Sequence, residues 1–456
     1  MLVRVQVLKT MMNISNSVQP LYVYLQLPDD GKWVVVGRYK IDQQTGAGLF
    51  RYADSYLASK HAWAIDPVNL PLMSGEFRQS VRYQGLHDVL RDAGPDSWGQ
   101  AIIRRAHDLP SNSPPVRYLR LSGNGDRWGA LAVGSTAKPS IAELSSPRLH
   151  QLQGLVDELH SIVHNLPPVN ATLRKHLFGT PSLGGARPKA TLQDGGEYWL
   201  IKPGLATDTV DLALLEHATQ RWGNKAGLKF AHTEHHPMGN NRSVVRVLRF
   251  DRVNGRRIMA LSGATLLGVA YPPTLKDDSD EASYPRLAEE LRRIGAPRDD
   301  WMELFDRMVF NAVVGNDDDH PRNHAVIFDK EAKCWRLSPA FDVVPNPDEK
   351  PRRLAMQPSV GNWTISRTNL LIDFSRFGFT SIKEAEQRLD SVLTNISTAF
   401  HEIASILSPN LHQLMLERLT KNIDALKNEH APIHVVTENP FHNIGDEVAD
   451  QPHSMI

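Results

Sequence analysis

Residues 316–346 read NDDDHPRNHAVIFDKEAKCWRLSPAFDVVPN. A polar loop holding Asp318 and Asn323 runs into an apolar stretch, 325–328. A turn over 329–332 leads to a second such stretch, 334–337, and Asp342 follows just beyond Ser338-Pro339. Two short β-prone runs joined by a polar turn predict a β-hairpin. That hairpin would return Asp342 to the loop that carries Asp318 and Asn323, so two carboxylates and an amide would converge. Hard oxygen donors of this kind suit Mg²⁺, which keeps several waters and takes one or two carboxylates plus substrate phosphates. Asp317 or Asp319 taken singly reads as part of a solvated acidic turn; the set reads as a site.

Immediately upstream, Trp301, Leu304, Phe305, Met308, Val309, Ala312 and Val313 make one apolar stripe, which predicts a helix. Gly315 is its expected C-cap. Farther upstream, Thr180–Lys189 reads TPSLGGARPK. Gly184 and Gly185 let backbone N–H groups approach phosphate oxygens, and Lys189 adds charge. The stretch is no Walker A loop, because Pro188 and Ala190 flank the lysine. Lys202 ends the strand-like YWLIK, 13 residues beyond Lys189. From there it can reach nucleotide phosphates and pair with Glu216 on the following helix. Asp318, Asn323 five residues later and then Asp342 repeat the protein-kinase order of base and metal ligands. In VVRVLRFDR (244–252), Leu248–Phe250 reads as a strand running into a hinge that would face adenine.

Other features read less strongly. His232, His235 and His236 lack a Cys or carboxylate cluster that would make a zinc site. Ser182 lacks the G-x-S-x-G setting of a hydrolase nucleophile. Arg104-Arg105, Arg252 and Arg256-Arg257 read by default as solvated faces.

Composition narrows the class. The chain has 456 residues, 41% hydrophobic and 22% charged, with 51 Lys plus Arg against 51 Asp plus Glu. A zero net charge argues against nucleic-acid binding along the whole chain. Cys334 is the one cysteine, which excludes an internal disulfide and a Cys-rich zinc site. No run reaches the roughly 20 apolar residues of a membrane helix. A cytoplasmic location and no membrane contact are expected.

The chain divides into five parts by pattern. Residues 1–20 read as a flexible N-terminus. Residues 21–140 read as an α+β module. It opens on a hairpin, LYVYLQL and KWVVVGRY about the turn Pro28–Gly31, with further strand character in GLFRYADSYLA and AWAID (62–66). One or two helices follow over 86–107, then a strand in WGALAVG (128–134). Residues 141–260 read as a small nucleotide lobe. Its parts are helices before 178, a hairpin turning at Asp194–Gly196, a helix over 209–222, and strands near 230–236 and 243–250. Residues 261–428 read as a helical catalytic lobe, and 429–456 as a disordered tail.

The assembled motifs resemble the HipA-type serine/threonine kinase toxins of bacterial type II toxin–antitoxin modules. The stretches that carry the resemblance are DAGPDSWGQAIIRR (92–105), YLRLSGNGDRWGAL (118–131), SLGGARPKATL, WLIKPG, LLEHATQRWGNKAGL, LRFDR, GNDDDHPRNHAVIF and SPAFDVVPNP, in the family's order. The resemblance implies an α+β, bilobal protein-kinase-like fold with a β-rich N-terminal module and an all-helical C-terminal lobe. It implies ATP and Mg²⁺ as cofactors. Asp318 would be the catalytic base, with His320 orienting its loop, and Asn323 and Asp342 would hold the metal. Lys202 would contact the ATP phosphates, and Gly184, Gly185 and Lys189 would form the phosphate loop. Ser182 matches the regulatory self-phosphorylated serine, with Thr180 as a second candidate. The implied partners are a separate HipB-like helix-turn-helix antitoxin, through which DNA is reached indirectly, and a protein substrate such as an aminoacyl-tRNA synthetase. A catalytically weak corepressor and a small-molecule kinase are the alternatives.

Overall fold

The computed structural model describes residues 19–180, 185–239, 242–273, 281–348 and 353–428. The expected N-terminal tail up to residue 18 and the tail from 429 lie outside them, as do Ser182 and Gly184.

Alternation builds the first sheet. Leu21, Val23 and Leu25 of β1 (Leu21–Gln26) are fully buried, and β1 pairs antiparallel with β2 (Trp33–Ile41) across the Pro28–Gly31 turn. β3 (Gly48–Tyr52) and β4 (Phe77–Gln79) extend one edge, and β5 (Leu131–Gly134) returns to pair with β1, giving the order β4-β3-β2-β1-β5. The AWAID stretch forms no strand. Tyrosine hydroxyls satisfy its backbone instead: Tyr56 donates to the Trp63 carbonyl at 2.9 Å, and Tyr52 accepts from the Ile65 N–H at 3.2 Å. Trp63 then stacks on Phe328 of the C-terminal part, with ring centroids 4.2 Å apart.

A second antiparallel sheet has the order β6-β7-β9-β8: β6 (Ala190–Asp194), β7 (Glu197–Pro203), β8 (Thr233–Gly239) and β9 (Arg242–Leu248). Gly195 and Gly196 turn its first hairpin with φ of +54° and +91°. Two successive positive φ values define the turn whose twist matches the strands it joins, and glycine adopts them without strain. The helix Leu212–Lys225 covers one face, with Ala213, Val245 and Val247 in contact. The helices Leu152–Val163 and Ala171–Gly179, with Trp98 and Ile102 from the N-terminal module, pack on Leu192, Ile201 and Val244 of the other.

The remainder corrects one expectation. The C-terminal part is not all helical: β12 (Ala260–Ser262), β13 (Ala325–Asp329) and β14 (Cys334–Leu337) form a three-stranded antiparallel sheet, after the two-residue pair β10 (Arg252–Val253) and β11 (Arg256–Arg257). Three residues of β12 carry too little periodicity to read in advance; the pairing with β13 makes them a strand. Around this sheet lie the helices Tyr284–Arg293, Arg298–Val314, Ile382–Ile403 and Pro409–Lys427. Arg298–Val314 buries its stripe almost completely, so Phe305→Ala would cost about 3–5 kcal/mol. Gly315, at φ +77°, ends that helix and aims the next residues at the site.

Candidate active site

Asp318 is presented by anchored neighbours. Asn316 donates to the Asn311 side chain at 3.1 Å. The Asp317 carboxylate accepts from Asn346 at 3.0 and 3.1 Å. Asp319 is buried, against its reading as a solvated residue, and accepts the Tyr284 hydroxyl at 2.5 Å and the Ala355 N–H at 2.6 Å. Between them the Asp318 side chain keeps 75% of its exposure. Asn323, on the turn Pro321–Asn323, donates to the Asp318 carbonyl at 2.8 Å and closes the loop. His320 stacks on Tyr271 at 3.9 Å between centroids and lies 3.7 Å from the Asp318 carboxylate. Burial lowers the His320 pKa to about 4, against the pull of Asp342, so the ring is neutral near pH 7.

The Asp318 pKa is raised to about 7 by protein crowding around the cleft and then by the charges of Asp342, Asp319 and Asp317. Its exposure lets solvent screen part of that push. Asp319 also rises to about 7, through burial.

Lys202 ends β7 in a cage of opposite charge. Its Nζ donates to Glu216 Oε1 at 2.6 Å and to Asp342 Oδ1 at 2.7 Å. Burial works against the ammonium, but the two carboxylates outweigh it and raise its pKa. Burial likewise opposes the Asp342 carboxylate, yet the Lys202 and Lys189 ammoniums hold its pKa well below the usual range. Asp342 sits at φ +58°, a conformation that costs a non-glycine residue energy and is tolerated where the surroundings enforce it.

Lys189 is buried beside them, and burial lowers its pKa. Gly185, beside the Lys189 Nζ, sits at φ +86°, a conformation that glycine adopts without strain. Lys189, Lys202 and Asp342 share a cleft of about 800 Å³, counting its solvent-open mouth, with Leu200 and the hinge residues Leu248, Arg249 and Phe250. Phe250 and Phe341 both line it and pack against each other, tilted, at 5.4 Å between centroids. Of the two self-phosphorylation candidates, Thr180 lies at a helix end with its hydroxyl donating to the His176 carbonyl at 2.9 Å. Arg187, in the same segment, pairs with both oxygens of Asp208 at 2.6 and 2.8 Å.

Sequence reasoning missed the long-range ion pairs that brace the cleft. Arg249 is buried and ion-paired with Asp126 and, at 2.8 Å, with Asp251, which also accepts the Gly129 N–H at 2.9 Å. Arg252 joins them at 2.7 Å from Asp251. Arg252 and Arg257 are buried rather than solvated, because N-terminal-module carbonyls at 124–129 take up their N–H groups. Arg322 reaches Asp92 at 3.2 Å and Asp96 at 2.8 Å. Asp92 and Asp96 stand within DAGPDSWG, but local pattern says nothing of a partner more than 200 residues away. The histidines 232, 235 and 236 lie apart from the cleft lining. Among the described residues no group of three or more His, Cys, Asp or Glu is placed to hold a metal, and no helix is long and apolar enough to cross a membrane.

Comparison with known proteins bears on this geometry. Residues 181–403 match the HipA-like C-terminal domain. A protein named "Putative kinase Y4mE" from Sinorhizobium fredii (strain NBRC 101917 / NGR234) is 32% identical over 123 residues, 25% of this chain and 28% of that protein. The match thus spans little more than a quarter of that relative. Among solved structures, HipA of Shewanella oneidensis MR-1, in complex with HipB and its operator DNA, superposes with a TM-score of 0.66. It covers 89% of this chain and 96% of that one at 17% identity, a likeness of fold. Lys202, Asp318 and Asp342 all fall within the stretch that matches the HipA-like C-terminal domain.

Proposed function

We propose that the chain is an ATP-dependent serine/threonine protein kinase, the toxin of a HipA/HipB-like module. The observation that carries this reading is Lys202, held 2.6 Å from Glu216 and 2.7 Å from Asp342 on the floor of the cleft. A buried lysine clamped by two carboxylates, one of them beside the Asp318 loop, is what alignment of a triphosphate requires. Adenine would lie along Leu248–Phe250, beside the paired rings of Phe250 and Phe341. Lys202 and Lys189 would meet the phosphates, with Gly184 and Gly185 supplying backbone N–H groups. Asp342 and Asn323 offer a carboxylate and an amide, the hard oxygen donors that suit Mg²⁺. When bound, Mg²⁺ neutralises phosphate charge.

In the transfer, the acceptor hydroxyl oxygen forms a bond to the γ-phosphorus as the bond to the β–γ bridging oxygen breaks. The hydroxyl proton passes to Asp318, the exposed carboxylate of the loop that follows Gly315. A raised pKa makes Asp318 a stronger base than an ordinary carboxylate. His320, neutral and stacked on Tyr271, stiffens the loop without adding a charge.

Self-phosphorylation belongs at Ser182, since the Thr180 hydroxyl is already engaged; a dianion there competes with nucleotide phosphates. The solved HipA relative carries HipB and operator DNA, which supports a separate HipB-like partner and DNA contact through it. A zero net charge fits that division of labour. The substrate is a translation-related protein, with an aminoacyl-tRNA synthetase as the leading class. The test is incubation of dephosphorylated protein with ATP–Mg²⁺ and a bacterial lysate, read by mass spectrometry. Phosphate on the peptide around Ser182 and on a lysate protein supports the reading; a wild type that labels neither overturns it.

A further inference from the structure

We infer that Asp96 is a positioning residue that fastens the phosphate loop to the catalytic loop, making the N-terminal module a working part of the cleft. The inference deepens the kinase reading and rests on it for its kinetic consequence.

Asp96 stands at the N-cap of the helix Ser97–His107. An aspartate there normally accepts an N–H from the first turn of its own helix. Here the side chain makes no such bond. Its Oδ2 accepts the Gly185 N–H at 3.2 Å instead, and its Oδ1 takes Arg322 at 2.8 Å and Arg91 at 2.7 Å. The first turn of the helix is capped from elsewhere: the Trp98 N–H donates to the Gly185 carbonyl at 3.1 Å. Gly185 therefore gives to the helix-capping residue and receives from the helix. The Trp98 indole adds a third tie, donating to the Lys189 carbonyl at 3.2 Å.

The other end of the clasp is as firmly held. Arg322 lies on the same turn as Asn323, four residues past Asp318. It also reaches Asp92, whose oxygens take the Ser262 N–H and hydroxyl at 2.8 Å each and the Thr265 hydroxyl at 2.7 Å. Asp96 and Arg322 keep only 10% and 12% side-chain exposure, so water competes little for the pair. Arg322 and Arg91 outweigh burial and keep Asp96 ionised at any working pH. One carboxylate thus sets the distance between the loop that would hold phosphates and the loop that would hold the base. Geometry errors of about 1 Å between such groups cost on the order of 100-fold in rate.

The test uses the full-length chain with Asp96→Asn, Arg322→Gln and, as a control, Asp306→Asn. The control breaks an ion pair away from the cleft, in which the Asp306 carboxylate is buried and Arg388 is partly exposed. Asp96→Asn should raise KM for ATP and lower kcat, with kcat/KM down about tenfold or more. Asp306→Asn should leave KM and kcat unchanged. In the nucleotide-free protein, Arg322→Gln should speed hydrogen exchange at the Gly185 amide, which Arg322 does not touch. Wild-type KM and kcat in Asp96→Asn, or unchanged Gly185 exchange in Arg322→Gln, would overturn the inference. If the wild type transfers no phosphoryl group at all, the kinase reading fails, and Gly185 exchange alone decides whether the clasp exists.

Discussion

Asp342 and Asp318 are assigned to one proposed site, yet their surroundings drive them in opposite directions. Asp342 faces the Lys202 ammonium at 2.7 Å, and its pKa is held far below the carboxylate range. Asp318 faces Asp317, Asp319 and Asp342, with only a neutral His320 at 3.7 Å, and its pKa rises to about 7. A carboxylate fixed as an anion suits charge organisation; one poised near neutrality suits proton transfer. The split fits the roles proposed for them. It also explains why Asp317 and Asp319 are tethered to Asn346 and Tyr284: the like charges that raise Asp318 must be held in place to do so.

Removing each carboxylate is the strongest way to test that contrast. Asp342→Ala takes away both a metal donor and the anchor of Lys202, so phosphoryl transfer should fall by about 10³-fold or more, with ATP–Mg²⁺ binding weakened. Asp318→Asn should lower transfer by about 10²–10⁴-fold while nucleotide affinity, by calorimetry, stays near wild type. Equal loss of binding in both variants would erase the distinction. Lys202→Met comes next. It removes the cation bonded to both Glu216 and Asp342, leaving only the more distant Lys189, which should cost about 3–5 kcal/mol of stability in denaturant titration as well as nucleotide binding.

The pH profile gives a finer test. A base must be deprotonated to accept a proton, and the Asp318 pKa is raised, so kcat should climb as pH rises through about 7 rather than through the usual carboxylate range. A flat profile from pH 5 to 8 would contradict this. The smallest effect is expected from Asp317→Asn. It removes one repelling charge, so the inflection should move to lower pH while the rate at pH 8 stays close to wild type. An upward move would show that Asp317 acts through structure instead.

Legibility in the sequence followed the range of each interaction. Alternation and turn glycines marked the hairpins β1–β2 and β6–β7, and helical spacing marked Arg298–Val314. Asp318, Asn323 and Asp342 were picked out by spacing, because a hairpin is a local object. Lys202 and Glu216, 14 residues apart, were within reach of the same reasoning. Strand β12 was not, since three residues become a strand only when β13 pairs with them. AWAID alternates like a strand, but Tyr52 and Tyr56 bond its backbone. Arg249 with Asp126, and Arg322 with Asp96, lie 123 and 226 residues apart. Ion pairs at such separations leave no periodic trace; a buried arginine and a solvated one look alike in sequence.

The central claim is that Asp318 accepts the acceptor's proton in a site charge-organised by Asp342 and Lys202. Intact-mass measurement of dephosphorylated wild type and Asp318→Asn, before and after ATP–Mg²⁺, tests it most directly, with nucleotide binding measured on the same samples. The account predicts added phosphate on the wild type, none on Asp318→Asn, and nucleotide bound by both. Equal phosphate on the two proteins would contradict it.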